Sequence, residues 1–137
     1  MIGSTLFGEK SYVLGVGTDL IRQQRIEQVL GRQGERFVRR ILTPMEIDLF
    51  RSHRAPVNYL AKAFAAKEAL SKALGTGIAQ GVSFQDFAIV RDKAGKPEVI
   101  TFGKAREMVD ACHGRLLISL ADEGDLIQAF AVLSSCS

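Results

Sequence analysis

The hydrophobic pattern changes period several times along the chain, and each change marks an element. Tyr12 to Gly17 (YVLGVG) is a nearly unbroken apolar run, the signature of a short, largely buried strand. From Thr18-Asp19 onward Ile21, Ile26, Val29 and Leu30 recur at helical spacing, which predicts a helix that Gly31 and Gly34 weaken. Thr43-Pro44-Met45-Glu46 announces a second helix, with threonine able to cap, proline suited to the first turn and Glu46 at capping-box spacing. That helix is short, ending near Arg51. Pro56 opens the longest helix, which the pattern carries to Leu74 with Gly75 just beyond its C-terminus. Phe84 to Val90 and Glu98 to Thr101 then read as strands around the turn-forming segment Asp92 to Pro97, a hairpin. Lys104 to Cys112 reads as a helix. Arg115 to Leu120 and Leu126 to Leu133 read as two more strands joined across residues 121–125. The expected class is α+β, a mainly antiparallel sheet packed with a long central helix.

A chain of 137 residues without repeats, low-complexity tracts or a Pro/Gly linker fits one domain, residues 1–137. With 47% hydrophobic and 24% charged residues it is built for a packed core. No stretch approaches the roughly 18 apolar residues of a membrane span, and the N-terminus has no basic start followed by a long apolar run. Cys112 and Cys136 lack CxxC or Cys/His ligand spacing, which speaks against a disulfide framework or a zinc site. A cytoplasmic protein that neither enters nor crosses a membrane is expected. Net charge is +3, but six arginines against Glu27 and Glu35 within residues 22–40 leave a surplus of four, so the rest is near neutral. Such a local basic face suits an acidic macromolecular partner.

FAAKEALSKALGTGI, residues 64–78, carries the candidate chemistry. At 100° per residue, Ala61, Phe64, Ala65, Glu68, Lys72 and Gly75 share one side of the helix, and Tyr59, Ala63, Ala66, Leu70, Ala73 and Leu74 the other. Both sides are mostly apolar, so Glu68 is expected to be partly desolvated. Two readings are open for it: an ordinary i, i+4 pair with Lys72, or a magnesium ligand, for which Asp19 would be the second carboxylate. Asp19 equally suits an N-cap. Gly15-Val16-Gly17 hints at a nucleotide loop, but the third glycine of GxGxxG is missing because Leu20 stands there. Gly75-Thr76-Gly77 suits either a phosphate-binding turn or a helix end. Lys67 reads as a solvated or interface lysine, or one that reaches phosphate from the side.

GVGTDLIRQQRIE (15–27), RRILTPMEI (39–47), YLAKAFAAKEALSKALGTGI (59–78), DKAGKP (92–97) and SLADE (119–123) stand in the order seen in holo-acyl-carrier-protein synthases. Apart from an N-terminal extension at residues 1–11, the chain resembles that family of short bacterial phosphopantetheinyl transferases. The KEAxxKAxGTG block is highly specific, and the GxGxD block supports it. The resemblance implies the 4'-phosphopantetheinyl transferase fold and transfer of 4'-phosphopantetheine from coenzyme A to a serine of apo-acyl carrier protein, in fatty acid biosynthesis. Adenosine 3',5'-bisphosphate is released. It also implies that Asp19 and Glu68 hold Mg²⁺ against the diphosphate, that Lys72 steadies phosphate or leaving-group charge, and that the assembly is a homotrimer with sites between subunits. Such a trimer would account for apolar residues on both faces of the long helix.

On the same ground coenzyme A is expected against Arg54, Lys62, Lys72, Gly75, Gly77, Lys96 and Pro97, with His53 a further neighbour. Two positions depart from the family pattern. Ala63 stands where arginine usually precedes FAAKEA, so that cation must come from a neighbour such as Lys62. Asp122 stands where histidine is common. Arg22, Arg25, Arg32, Arg36 and Arg40 would fall within about 80° of one another on one continuous helix, forming the docking face for an acidic carrier. A small basic nucleic-acid-binding protein is the rival reading, suggested by a pI near 9.1. It lacks tryptophan, aromatics interleaved with the arginines, or an RNP-like or zinc-finger pattern.

Overall fold

The first strand outruns its hydrophobic pattern. β1 (Ser11–Arg22) pairs antiparallel with β5 (Leu126–Cys136) along its whole length, past the point where the helical spacing begins. The structure, a computed structural model, describes residues 11–136. Residues 1–10 of the expected extension lie outside the described residues, and Ser11 already belongs to β1. β4 (Gly114–Glu123) pairs with the other edge of β5, giving the order β1-β5-β4, while β2 (Phe87–Arg91) and β3 (Pro97–Thr101) form a separate antiparallel hairpin.

Helices α1 (Gln23–Gln33) and α2 (Glu35–Ile41) follow β1. The helical run is divided at Gly34, one of the two glycines expected to weaken it, whose φ of 57° is a left-handed conformation open to glycine. Arg22 ends β1 and belongs to neither helix. α3 (Pro44–Ser52) starts where its capping box predicts, with the Thr43 N–H donating to Glu46 Oε1 at 2.9 Å. α4 (Pro56–Leu74) ends at Gly75 in the left-handed region, as its sequence predicts. A 3-10 turn (Phe84–Asp86) precedes β2, and α5 (Gly103–Ala111) precedes β4.

α4 lies across the inner face of the three-stranded sheet. Its alanines make this a close contact: Ala61, Ala65, Ala66 and Ala69 join Ile127, Ala129 and Ala131 of β5 in the core. β1 contributes glycine. A Cβ on Gly15 would overlap the Ala73 carbonyl oxygen, and one on Gly17 the Ala69 carbonyl oxygen, so helix and strand meet backbone to backbone. The Gly-Val-Gly run thus serves packing, and the nucleotide-loop reading of it falls away. The chain itself covers both apolar sides of α4, with Leu60, Ala65, Ala66 and Leu70 wholly buried. The expectation that a second subunit explains them is therefore corrected. Among the described residues, apolar surface is left open on the sheet's outer face, where Val16 and Leu20 are 58% and 61% exposed and Leu117 and Phe130 lie alongside.

Candidate active site

Strand alternation turns Gly15, Gly17, Asp19 and Ile21 toward α4, and the glycine contact brings that helix close enough for Asp19 to meet it. Lys72 Nζ donates to the Thr18 carbonyl oxygen at 3.0 Å and lies 3.4 Å from Asp19 Oδ1. Asp19 is not an N-cap, since it sits inside β1 opposite Ala129. Its Oδ2 is buried without a hydrogen-bond partner. Glu68, one turn before Lys72, is half-buried, and desolvation followed by the charge of Asp19 raises its pKa above the ordinary glutamate value. Lys72, Arg40 and Arg25 act in the opposite direction. Two neighbouring carboxylates, one with an orphaned oxygen, are the hard donors a magnesium ion takes one or two at a time, leaving other positions to water and phosphate oxygens. Among the described residues no group of three or more potential ligands assembles, so a pair is what the site offers. The residues fit the ion.

The fully buried charge of the 64–78 stretch is Lys67. It donates to Glu46 Oε1 and to the Ile41 carbonyl oxygen, both at 2.6 Å, with no exposure of either side chain of the ion pair. The surface and phosphate readings of Lys67 are thereby overturned. Glu46 Oε2 also accepts the Ile89 N–H at 2.9 Å, so one buried pair ties together α2, α3, α4 and β2.

The expected coenzyme A contacts separate into three places. Arg54 and Lys62 line a cavity of about 650 Å³ with His53, Tyr59, Ala63 and Arg91. Gly75 and Gly77 lie beyond the opposite end of α4, a helix about 28 Å long at 1.5 Å per residue. Lys96 and Pro97 line a smaller groove between β3 and β4. The N–H groups of Gly75, Thr76 and Gly77 are taken by the Lys72 and Ser71 carbonyls, which corrects the phosphate-cradling reading of this turn in favour of a helix end. Lys62, the neighbour expected to replace an arginine at position 63, lies 3.5 Å from Asp122 Oδ2, which also accepts from Asn58 Nδ2 at 3.2 Å. These contacts, with Asn58 first and Lys62 second, hold the Asp122 carboxyl below the usual aspartate range.

The arginines divide as well. Arg25 on α1 and Arg40 on α2 both act on Glu68, and Arg40 lies 5.7 Å from the centroid of the Phe84 ring. Arg22 lines a different hollow with Gln23, Glu27 and Pro56. Sequence reasoning missed Arg91 and the Asn58–Asp122 contact. Arg91 carried a faint signal as the last residue before the Asp92 to Pro97 turn, whereas nothing local joins Asn58 to a residue 64 positions away.

A helix laid on a three-stranded antiparallel sheet with a carboxylate pair at their contact defines a class. A family model described as the 4'-phosphopantetheinyl transferase superfamily matches residues 15–126. The chain belongs to this superfamily and, within it, to the enzymes called holo-[acyl-carrier-protein] synthases. The protein so named from Vibrio cholerae is 47% identical over 122 residues, spanning 88% of this chain and 97% of that one. The crystal structure of holo-[acyl-carrier-protein] synthase from Neisseria meningitidis superposes with a TM-score of 0.83 at 43% identity, covering 89% of this chain and 98% of its own. A Helicobacter pylori holo-[acyl-carrier-protein] synthase in complex with coenzyme A gives a TM-score of 0.74 at 30% identity, over 86% and 98%.

Proposed function

We propose that this protein transfers 4'-phosphopantetheine from coenzyme A to a serine hydroxyl of an apo-acyl carrier protein, serving cytoplasmic fatty acid biosynthesis. The observation that carries the site is the facing of Asp19 and Glu68 across the glycine contact, with Lys72 between strand and helix. Asp19 and Glu68 would hold Mg²⁺, which when bound neutralises diphosphate charge. Lys72, 3.0 Å from the Thr18 carbonyl oxygen and half-exposed, steadies the oxygens on which charge develops. The serine oxygen forms its bond to the pantetheine-side phosphorus as the bridging P–O bond breaks, and adenosine 3',5'-bisphosphate departs with the electron pair. A carboxylate engaged with a cation is a weak base, so the serine proton passes to water oriented by Glu68.

Lys62, Ala63 and Tyr59 lie 120° to 180° around α4 from Glu68 at about 100° per residue. One bound coenzyme A reaching both regions is best served by two copies of the chain, each lending one face. The open apolar outer face of the sheet supports such a homotrimer, with active sites between subunits. In that arrangement Arg54, Lys62, Lys96 and Pro97 of one copy complete the coenzyme A site of another, and Gly75 and Gly77 leave open surface beside Lys72. Arg25, Arg32, Arg36 and Arg40 form the docking face for the acidic carrier, with Arg22 at its margin.

The test is intact-mass spectrometry of an apo-acyl carrier protein incubated with coenzyme A, Mg²⁺ and the protein, beside Glu68→Gln and EDTA controls. Gain of the phosphopantetheine mass only in the complete reaction supports transfer and metal together. Absence of that mass across several apo-carriers rejects the reading.

A further inference from the structure

Three consecutive residues of α4 meet three different surroundings. Lys67 is fully buried and donates to Glu46 Oε1 on α3 and to the Ile41 carbonyl oxygen at the end of α2, both at 2.6 Å. Ala69 sets its carbonyl oxygen against Gly17 of β1, where an added Cβ would overlap it. Glu68 stands between them, half-buried and within the influence of Asp19. At 100° per residue Lys67 and Ala69 lie about 160° apart around the helix, with Glu68 about 100° from each. The helix is gripped on two opposed sides, and the carboxylate projects from the flank between the grips.

The two grips fix different things. Toward the sheet α4 presents alanine, with Ala61, Ala65, Ala66 and Ala69 wholly buried. Methyl groups form shallow ridges, which set the separation of helix and sheet but hold the helix's rotation poorly. Hydrogen bonds are directional and weaken steeply when bent, and Lys67 makes two, to acceptors on two other helices. Glu46 is itself held, since Oε1 also accepts the Thr43 N–H at 2.9 Å and the Thr43 hydroxyl at 3.1 Å, and Oε2 accepts the Ile89 N–H at 2.9 Å. Rotation matters to Glu68 because side chains end about 5–6 Å from the helix axis, so a turn of about 10° carries a carboxylate about 1 Å. Magnesium takes its oxygens at about 2.0–2.1 Å in near-ideal octahedral geometry and tolerates little such displacement.

We propose that Lys67 is a positioning residue for the carboxylate pair: with Glu46 it fixes the rotation of α4, and so the aim of Glu68 toward Asp19. This rests on Asp19 and Glu68 binding Mg²⁺. The buried charges then serve a directional purpose that an apolar pair of similar volume would not.

Glu46→Met combined with Lys67→Met removes the bonds without stranding a charge. Two readouts test it: the rise in Tm on adding Mg²⁺ alone, and the transfer rate against Mg²⁺ concentration. In the folded double variant the Mg²⁺ concentration for half-maximal rate is expected to rise about tenfold, the scale for a residue that supports a metal ligand. The Tm increment at a fixed Mg²⁺ concentration should shrink, while kcat at saturating Mg²⁺ and KM for the carrier change little. Val82→Ala, a core truncation in the link between α4 and the 3-10 turn, should lower the Tm and keep the wild-type Mg²⁺ dependence. An unchanged Mg²⁺ dependence in the double variant, an equal change in Val82→Ala, or a loss confined to kcat or to carrier KM would each overturn the assignment. If the double variant does not fold, Glu46→Asp keeps both charges but draws the carboxylate back by one methylene. It must also raise the half-maximal Mg²⁺ concentration, and no rise overturns the assignment. A wild type that responds to Mg²⁺ alongside any of these results defeats this assignment alone. A wild type whose Tm and transfer rate ignore Mg²⁺ defeats the metal-site reading beneath it.

Discussion

Lys67 and Glu46 form a fully buried ion pair with 2.6 Å between Nζ and Oε1. Removing one partner strands the other charge in a site without water. Lys67→Met or Glu46→Gln is expected to cost about 3–5 kcal/mol of stability. The double change to two methionines should recover only part of it, because the uncompensated charge is gone but the Thr43 and Ile89 N–H groups and the Ile41 carbonyl lose their partners. Urea unfolding of the two single variants and the double variant checks this. Additive losses in the double variant would show that the pair is not coupled.

Gly17→Ala tests the backbone contact that places Asp19. The new Cβ would overlap the Ala69 carbonyl oxygen and lie 2.8 Å from Lys72 Cβ, so α4 must move. The expected loss is about 1–3 kcal/mol, typical of overpacking. Transferase activity should drop further than stability, since the same movement separates Asp19 from Glu68 and Lys72. Thermal melts beside single-turnover mass spectrometry make the comparison.

Glu68 has a folded pKa above its unfolded value, chiefly through desolvation and then through Asp19. Its contribution to stability is present below the unfolded pKa and is lost as pH rises through the folded one, so near neutrality the ionised side chain is a net cost. Glu68→Gln should therefore raise the Tm of metal-free protein at pH 7 while abolishing transfer. Mg²⁺ should raise the Tm of wild type and leave that of Glu68→Gln unchanged. A metal response equal in both proteins would remove Glu68 from the ligand set.

Carrier docking on the arginine face predicts that kcat/KM falls as ionic strength rises. Arg25→Glu should lower kcat/KM for the carrier about tenfold, mostly through KM, and flatten the salt dependence. Calorimetric affinity for coenzyme A should change little by comparison. Steady-state assays at several salt concentrations decide the matter, and an unchanged salt slope would place docking elsewhere.

Self-association through the outer face of the sheet predicts that Val16→Glu combined with Phe130→Glu yields monomers in light scattering. If coenzyme A is held between copies, activity should fall with the assembly. A variant that remains trimeric would exclude this face as the contact.

Much of the fold was legible because local signals and tertiary demands agree. The capping box at Thr43 and Glu46, the Gly75 helix end and the Asp92 to Pro97 turn each stand where the sequence puts them. Asp19 was misplaced because residues 18–22 carry a helical pattern that pairing with β5 overrides, and no local rule reports a partner more than a hundred residues away. Lys67 was misjudged for the same kind of reason: its companion Glu46 is 21 positions earlier, already occupied in the sequence by an evident capping role. The KEA motif marked the helix without telling which of its charges lies near Asp19 and which is buried in the core.

The contact of Gly15 and Gly17 with the carbonyls of Ala73 and Ala69 gives the carboxylate pair an unusual kind of gauge. The spacing between strand and helix is set by the thickness of two main chains, with no side chain interposed between them at these points. Substitutions that swell or shrink the core elsewhere can be absorbed by rotamers without resetting that spacing. The interior of this enzyme is thus free to drift in sequence while the distance across its carboxylate pair stays anchored to the dimensions of the peptide bond.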